Sequence, residues 1–130
     1  MENKTETPPQ VSSKKQEYLA KLDGIQAGLK KLDSLKAGSN IDMIKAANEE
    51  YRRWDIELNQ IYGVLKIQLS TSEMSQLEKE EVQWIKDKEA LADAEGKKYE
   101  GGSMEPLAYS ASLAESTKKR CYELVNNYMK

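Results

Sequence analysis

Apolar residues recur at intervals of three and four along most of this chain, and no stretch alternates strictly between apolar and polar. Such spacing lines up side chains along one stripe of an α-helix, whereas a half-buried strand needs a period of two. From about Lys14 to Lys36 the stripe is Leu19, Leu22, Ile25, Leu29, Leu32 and Leu35, weakened by Gly24 and Gly28. Gly38 supplies a stop, and Ser39 or Asn40 supplies the next N-cap. A second helix is predicted from about Ile41 to Leu69, with Ile44, Ala47, Tyr51, Trp54, Leu58, Ile61, Tyr62, Leu65 and Leu69 inside. Glu49 and Arg53 form an i,i+4 pair outside, and Gly63 is the weak point. Ser70 and Glu73 have the spacing of a capping box. The third helix then carries Met74, Leu77, Val82, Trp84, Ile85 and Leu91 and runs to about Glu95, with Gly96 as its end. After a loop at 97–102, Ser103 is the predicted cap of a fourth helix with Pro106 in its first turn. That helix bears Leu107, Ala111, Ala114, Cys121, Leu124, Val125 and Tyr128.

Four helices joined by short breaks predict an all-α, four-helix antiparallel bundle or a bent relative of one. The 130 residues allow one domain, placed at 14–130, with residues 14–37 as an N-terminal extension helix. Residues 1–13, polar and containing Pro8 and Pro9, read as a flexible tether. Only 38% of residues are apolar, 32% are charged and Phe is absent, which suits helices that pack along one stripe and leave the rest in water.

The net charge of −2 is unevenly spread. Residues 1–39 hold seven lysines against five acids, residues 40–95 thirteen acids against seven bases, and residues 96–130 six bases against four acids. An acidic middle without grouped Lys and Arg argues against a nucleic-acid partner, because neutralising phosphates needs clustered cations. It suits a basic protein partner, although ordinary charged helix surfaces account for the same numbers.

Chemistry is thinly provided. The chain has no His, so it lacks the commonest general base and zinc ligand. Its one cysteine, Cys121, can form no intramolecular disulfide, has no imidazole to activate it, and reads as a small core residue. Adjacent carboxylates such as Glu49/Glu50 and Glu80/Glu81 diverge by about 100° on a helix. Gly101-Gly102-Ser103 is too short to read as a phosphate loop. No cofactor, no metal and no catalysis are expected. No apolar run is long enough to span a bilayer, and no signal-peptide pattern is present.

The densest signal is YRRWDIELNQIYGVL at 51–65. Asp55, Asn59 and Tyr62 fall at i, i+4 and i+7, which puts a carboxylate, an amide and a phenol on one face. Such residues either bond to a neighbouring helix end, the favoured reading, or face a ligand. The stretch resembles the lysozyme inhibitor LprI family through Asp55-x-Glu57-Leu58-Asn59-x-x-Tyr62-x-x-Leu65. Further matching pieces follow in order: Leu77, Trp84-Ile85, the Gly101-Gly102-Ser103 loop, and Thr117-x-x-Arg120-x-x-x-Leu124. The resemblance covers about residues 43–128, so 41–130 is taken as the family-like core.

The resemblance implies a small extracytoplasmic binding protein, expected to be a monomer, that occludes lysozyme or another muramidase. The alternative is an accessory envelope protein that holds another exported protein or a cell-wall fragment. With the polar stretch at 1–13, the resemblance also leads us to expect a lipid anchor on a cysteine upstream of residue 1. Many members have a cysteine shortly after the Trp segment and another before the Thr-Arg segment, forming a disulfide. The corresponding positions here are about Ala92 and Ser112, and Glu81 and Lys88 stand where a Gln and an Arg are usual. The motif residues are read as structural before binding. Arg120 is expected to pair with an acid such as Asp55 across the bundle, or otherwise to face a ligand. Gly101 and Gly102 are expected to permit a tight turn.

Overall fold

The computed structural model describes residues 13–130. The tether expected at 1–13 therefore lies outside the described residues, except for Ser13, which caps the first helix. The elements are α1 (Lys14–Gly28), a 3-10 turn (Leu29–Leu32), α2 (Asp33–Lys36), α3 (Asn40–Gln68), α4 (Thr71–Lys97) and α5 (Glu105–Tyr128). The all-helical bundle read from the periodicity is thus present, with its first arm broken. The break follows directly on Gly28, where the helix loses the support of a side chain.

Capping fixes where the long arms start. Ser13, Ser39 and Ser70 each accept a hydrogen bond from the backbone N–H three residues on, and Gln16, Asp42 and Glu73 reach back to the cap's own N–H. Each box satisfies two donors that a helix start leaves orphaned. For α4 the two bonds are Glu73 N to Ser70 Oγ at 3.1 Å and Ser70 N to Glu73 Oε1 at 2.9 Å. Ser70→Ala is expected to cost about 1 kcal/mol of stability, measured as a lower urea midpoint with an unchanged slope. No shift in midpoint would show that the α3–α4 corner holds without its cap.

At other ends the structure differs from the sequence expectation. Ser103 does not cap α5: Met104 holds the N-cap position without a side-chain bond, and Ser103 instead offers its carbonyl to the Asn40 amide at 2.9 Å. Gly96 does not end α4 but lies buried inside it, against Glu105 and Tyr109 of α5. The tight turn falls at Gly101, whose φ of 81° lies in the left-handed region that a side chain disfavours. On α3, Glu49 pairs with Arg52 at i,i+3 rather than with Arg53.

α3 and α5 run parallel and form the central pair. Cys121 Sγ lies 3.5 Å from the Trp54 carbonyl at mid-length, and Gln68 meets Lys130 at the far end. α1 and α4 run antiparallel to this pair on opposite sides. On one side, Lys21 reaches Glu57 and Gln60 of α3, and Tyr122 of α5 donates to Asp23. On the other, α4 packs on α5 rather than on its sequence neighbour α3. The core is Leu22, Leu29, Trp54, Leu58, Ile61, Leu65, Leu69, Leu77, Cys121, Leu124, Val125 and Met129. Burying each large aliphatic member fully is worth about 1.5–3 kcal/mol.

α4 is where the apolar stripe misleads. Its buried positions are Leu77, Lys88, Ala92 and Gly96, while Val82 is 57% and Ile85 44% exposed, and Leu91 is exposed as well. Because α4 leans on α5, Val82 and Ile85 on the flank toward α3 stay largely uncovered, while Leu91 lies on another flank, beside Tyr99 and α5.

Candidate functional site

Docking α4 against α5 leaves an open groove of about 390 Å³ between α3 and α4. Its α3 wall is Asp55, Leu58, Asn59 and Tyr62, and its α4 wall includes Glu78, Glu81, Val82, Trp84, Ile85 and Lys88. Both walls follow one rule of spacing. Asp55, Asn59 and Tyr62 stand at i, i+4 and i+7 of α3, and Glu78, Val82 and Ile85 at i, i+4 and i+7 of α4, so each triplet forms one ledge. The helices are antiparallel, so Tyr62 lies toward the Glu78 end, and Asp55 toward Ile85 and Lys88.

Among the described residues, Asp55, Asn59 and Tyr62 make no side-chain hydrogen bond with the protein, and neither Asp55 nor Glu78 forms an ion pair. Three cations lie nearby, of which Lys66 stands 5.6 Å from the Tyr62 ring centre. Arg120, on α5, gives Nε to Glu81 Oε1 at 2.5 Å and Nη1 to Glu123 at 3.2 Å, with Nη2 3.7 Å from Glu80. Lys88 donates to the Tyr51 hydroxyl at 3.1 Å, and its ammonium lies 5.3 Å from the Tyr51 ring centre and 4.9 Å from that of Trp84. Desolvation pushes the Tyr62 hydroxyl above its ordinary pKa, and the charges of Glu78 and Glu81 push it further, against Arg120.

Arg120 is buried and internally paired, as the sequence suggested, but its partner is Glu81 rather than Asp55. Asp55 faces the groove, whereas Glu81 on the adjoining α4 reaches α5.

The remaining motif residues disperse. Glu57 points away from the groove, buried under α1, where Lys21 meets its Oε1 at 3.2 Å and its Oε2 is left without a hydrogen bond. Thr117 is fully buried and donates to the Leu113 carbonyl at 2.7 Å. Gly101, Gly102 and Ser103 form the turn before α5, at the end of the bundle where α3 begins. Asp55, Leu58, Asn59, Tyr62, Trp84 and Ile85 therefore come together with Glu81 and Lys88, and the structure adds Glu78 and Val82 to them.

Chemically the groove can recognise. It offers carboxylates, an amide, a phenol and an aliphatic strip. Among the described residues no three His, Cys, Asp or Glu side chains are grouped to hold a metal ion, and no helix is long and apolar enough to cross a membrane.

The family model of the lysozyme inhibitor LprI matches residues 33–124. This chain belongs to the LprI family. The match takes in α2, α3, α4 and most of α5, and so contains both walls of the groove, while α1 lies outside it. An uncharacterized protein of Rhizobium meliloti (strain 1021) is 31% identical over 105 residues, covering 71% of this chain and 76% of the relative. No solved structure matches. Ala92 on α4 and Ser112 on α5, the positions at which the resemblance implied a cysteine pair in many members, stand on helices that pack directly on one another.

Proposed function

We propose that this LprI-family protein is an extracytoplasmic binding protein that inhibits lysozyme or another muramidase by covering its glycan cleft. The observation that carries this reading is the α3–α4 groove: Asp55, Asn59 and Tyr62, without side-chain hydrogen bonds among the described residues, on the acidic part of the chain, inside the matched span. Animal-type lysozymes are basic, and opposite charge speeds encounter and orients docking. The inhibitor acts by occlusion and supplies no reacting group. A lipid on a cysteine upstream of residue 1 would hold it at the membrane surface, and it works as a monomer.

The test is clearing of a peptidoglycan suspension by purified animal-type lysozyme. Micromolar protein is expected to slow clearing at low salt, and less so as ionic strength shortens the reach of surface charge to about 10 Å at 0.1 M. Full lytic activity together with no binding at micromolar protein would end the proposal.

The exposed Val82 and Ile85 favour a second reading, an accessory envelope protein that docks another exported protein through an apolar contact. That contact would persist at high salt, so recovery of partners from native envelope at two salt concentrations separates the two.

A further inference from the structure

We infer that the α3–α4 groove seats a cationic, amphipathic segment of a protein partner: an apolar side chain at its middle and a lysine or arginine toward each end. This rests on the groove named above and specifies the chemistry of its occupant. Three observations lead to it.

The middle of the groove is apolar and uncovered. Val82 and Ile85 keep 57% and 44% of their surface, and Leu58 forms part of the opposite wall. An aliphatic side chain laid there removes this surface from water.

The ends are negative. Glu78 lies at the Tyr62 end and Asp55 at the other, seven residues apart in helical register, or about 10 Å along the axis. Of the cations nearby, Arg120 is paired with Glu81 and Glu123, while Lys88, beside the Tyr51 hydroxyl and two ring faces, and Lys66, 5.6 Å from the Tyr62 ring centre, form no ion pair with either acid. The Tyr62 hydroxyl is raised above its ordinary pKa first by desolvation, and the charge of Glu78 adds to that.

The remaining lining can complete a polar contact. The Asn59 amide and the Tyr62 hydroxyl both donate and accept, and neither is used within the described residues. An anionic segment or a glycan fragment would fill the same volume but leave Asp55 and Glu78 without counter-charge.

An extended peptide covers about 10 Å in three residues. The probe is therefore a blocked peptide with two lysines three residues apart and two leucines between them, beside a counterpart carrying glutamates in place of the lysines. The readout is tryptophan fluorescence. Trp84 lines the groove and Trp54 is only 2% exposed, so a change reports the groove, and Trp84→Phe should abolish it. Saturable binding of the lysine peptide is expected, weakened about tenfold by Glu78→Lys and less by Asp55→Lys, because charge-assisted contacts are lost and repulsion added. Val82→Asn, which removes the apolar contact without adding charge, should weaken it too. Glu78 is exposed and Asp55 half-buried, and each variant should keep the native far-UV circular dichroism.

Equal binding of both peptides, or unchanged binding of the lysine peptide to folded Glu78→Lys and Val82→Asn proteins, overturns the inference. The same variants in the clearing assay separate the two ideas. Lysozyme inhibition that survives all three substitutions removes the groove and leaves the inhibitor reading standing. Peptide binding without any lysozyme inhibition does the reverse.

Discussion

Arg120→Ala is expected to lower stability by about 3–5 kcal/mol, the range found when one partner of a buried ion pair is removed. The Arg120 and Glu81 side chains are 11% and 12% exposed, so alanine would strand a carboxylate with little water to take over. The pair also joins two helices. Arg120 of α5 reaches Glu81 of α4, while the Tyr128 hydroxyl of α5 donates to the neighbouring Glu80. Burial lowers the Arg120 pKa, but the Glu81 bond and charge and then Glu123 more than offset this, so the net shift is upward. The protein stabilises the charged guanidinium despite desolvating it. Much of the alanine loss is the cost of the stranded Glu81. The combined Arg120→Met and Glu81→Gln protein should therefore be clearly more stable than Arg120→Ala, since replacing both partners leaves no buried charge. Urea unfolding of Arg120→Met, Glu81→Gln and the double variant measures the coupling. A loss below about 1 kcal/mol for Arg120→Ala would place this contact among weak surface pairs. The groove should respond too, because the Arg120 guanidinium lies 6.0 Å from the Trp84 ring and Trp84 lines the α4 wall.

That contact shows where sequence reading stops. The helices and most of their starts were legible, because a serine followed three residues later by Gln, Asp or Glu satisfies backbone donors locally. The interior face of α3 was legible as well: its spacing puts Trp54, Leu58, Ile61 and Leu65 on one stripe, and all four are buried. Arg120 reads correctly as a buried, paired residue. Its partner does not, because Asp55 and Glu81 are both acids on helices beside α5, and only the lean of α4 decides which one reaches it. The Glu49 pair is a smaller case, since i,i+3 and i,i+4 partners are nearly equivalent on a helix surface.

The groove was half legible. Asp55, Asn59 and Tyr62 sharing one face was readable, and the structure shows that face looking onto α4 without bonds to it. The facing ledge repeats the same spacing, so its signal was present. Val82 and Ile85 nonetheless read as core, because a stripe of aliphatics looks the same whether a neighbour covers it or not. What covers it is set by non-local packing. α3 and α5 pair directly in parallel, α4 settles on α5, and one flank of α4 is left over. The Gly28 break is similar in kind. Two glycines weaken the first helix, yet only Gly28 coincides with a change of helix type, as Gly24 stays within α1.

Stability should collapse between about pH 9 and pH 12. Cys121 is fully buried, and desolvation, with the charges of Glu57, Asp55 and Glu81, pushes its thiol from 9.0 up to about 12. Tyr122 is raised to about 12, by desolvation first and then by its 2.7 Å hydrogen bond to Asp23. Tyr128 moves upward chiefly through its bond to Glu80, and Tyr62 through burial. In every case the folded state favours the protonated form. Each group's contribution is fully present below its unfolded pKa and is lost as pH rises through its folded pKa. The thiol therefore starts the decline near pH 9 and the phenols add to it from about pH 10. For the thiol alone the loss by pH 12 is on the order of 4 kcal/mol, a large share of the about 5–15 kcal/mol typical of a small domain. Circular dichroism at 222 nm, followed with thiolate absorbance at 240 nm and tyrosinate absorbance at 295 nm, reads all three events. Thiolate should appear only as helix is lost, and in Cys121→Ala the decline should begin nearer pH 10. A thiol that ionises near pH 9 in a fully helical protein would mean that water reaches the α3–α5 interface, and the dry contact between those helices on which the fold depends would have to be given up.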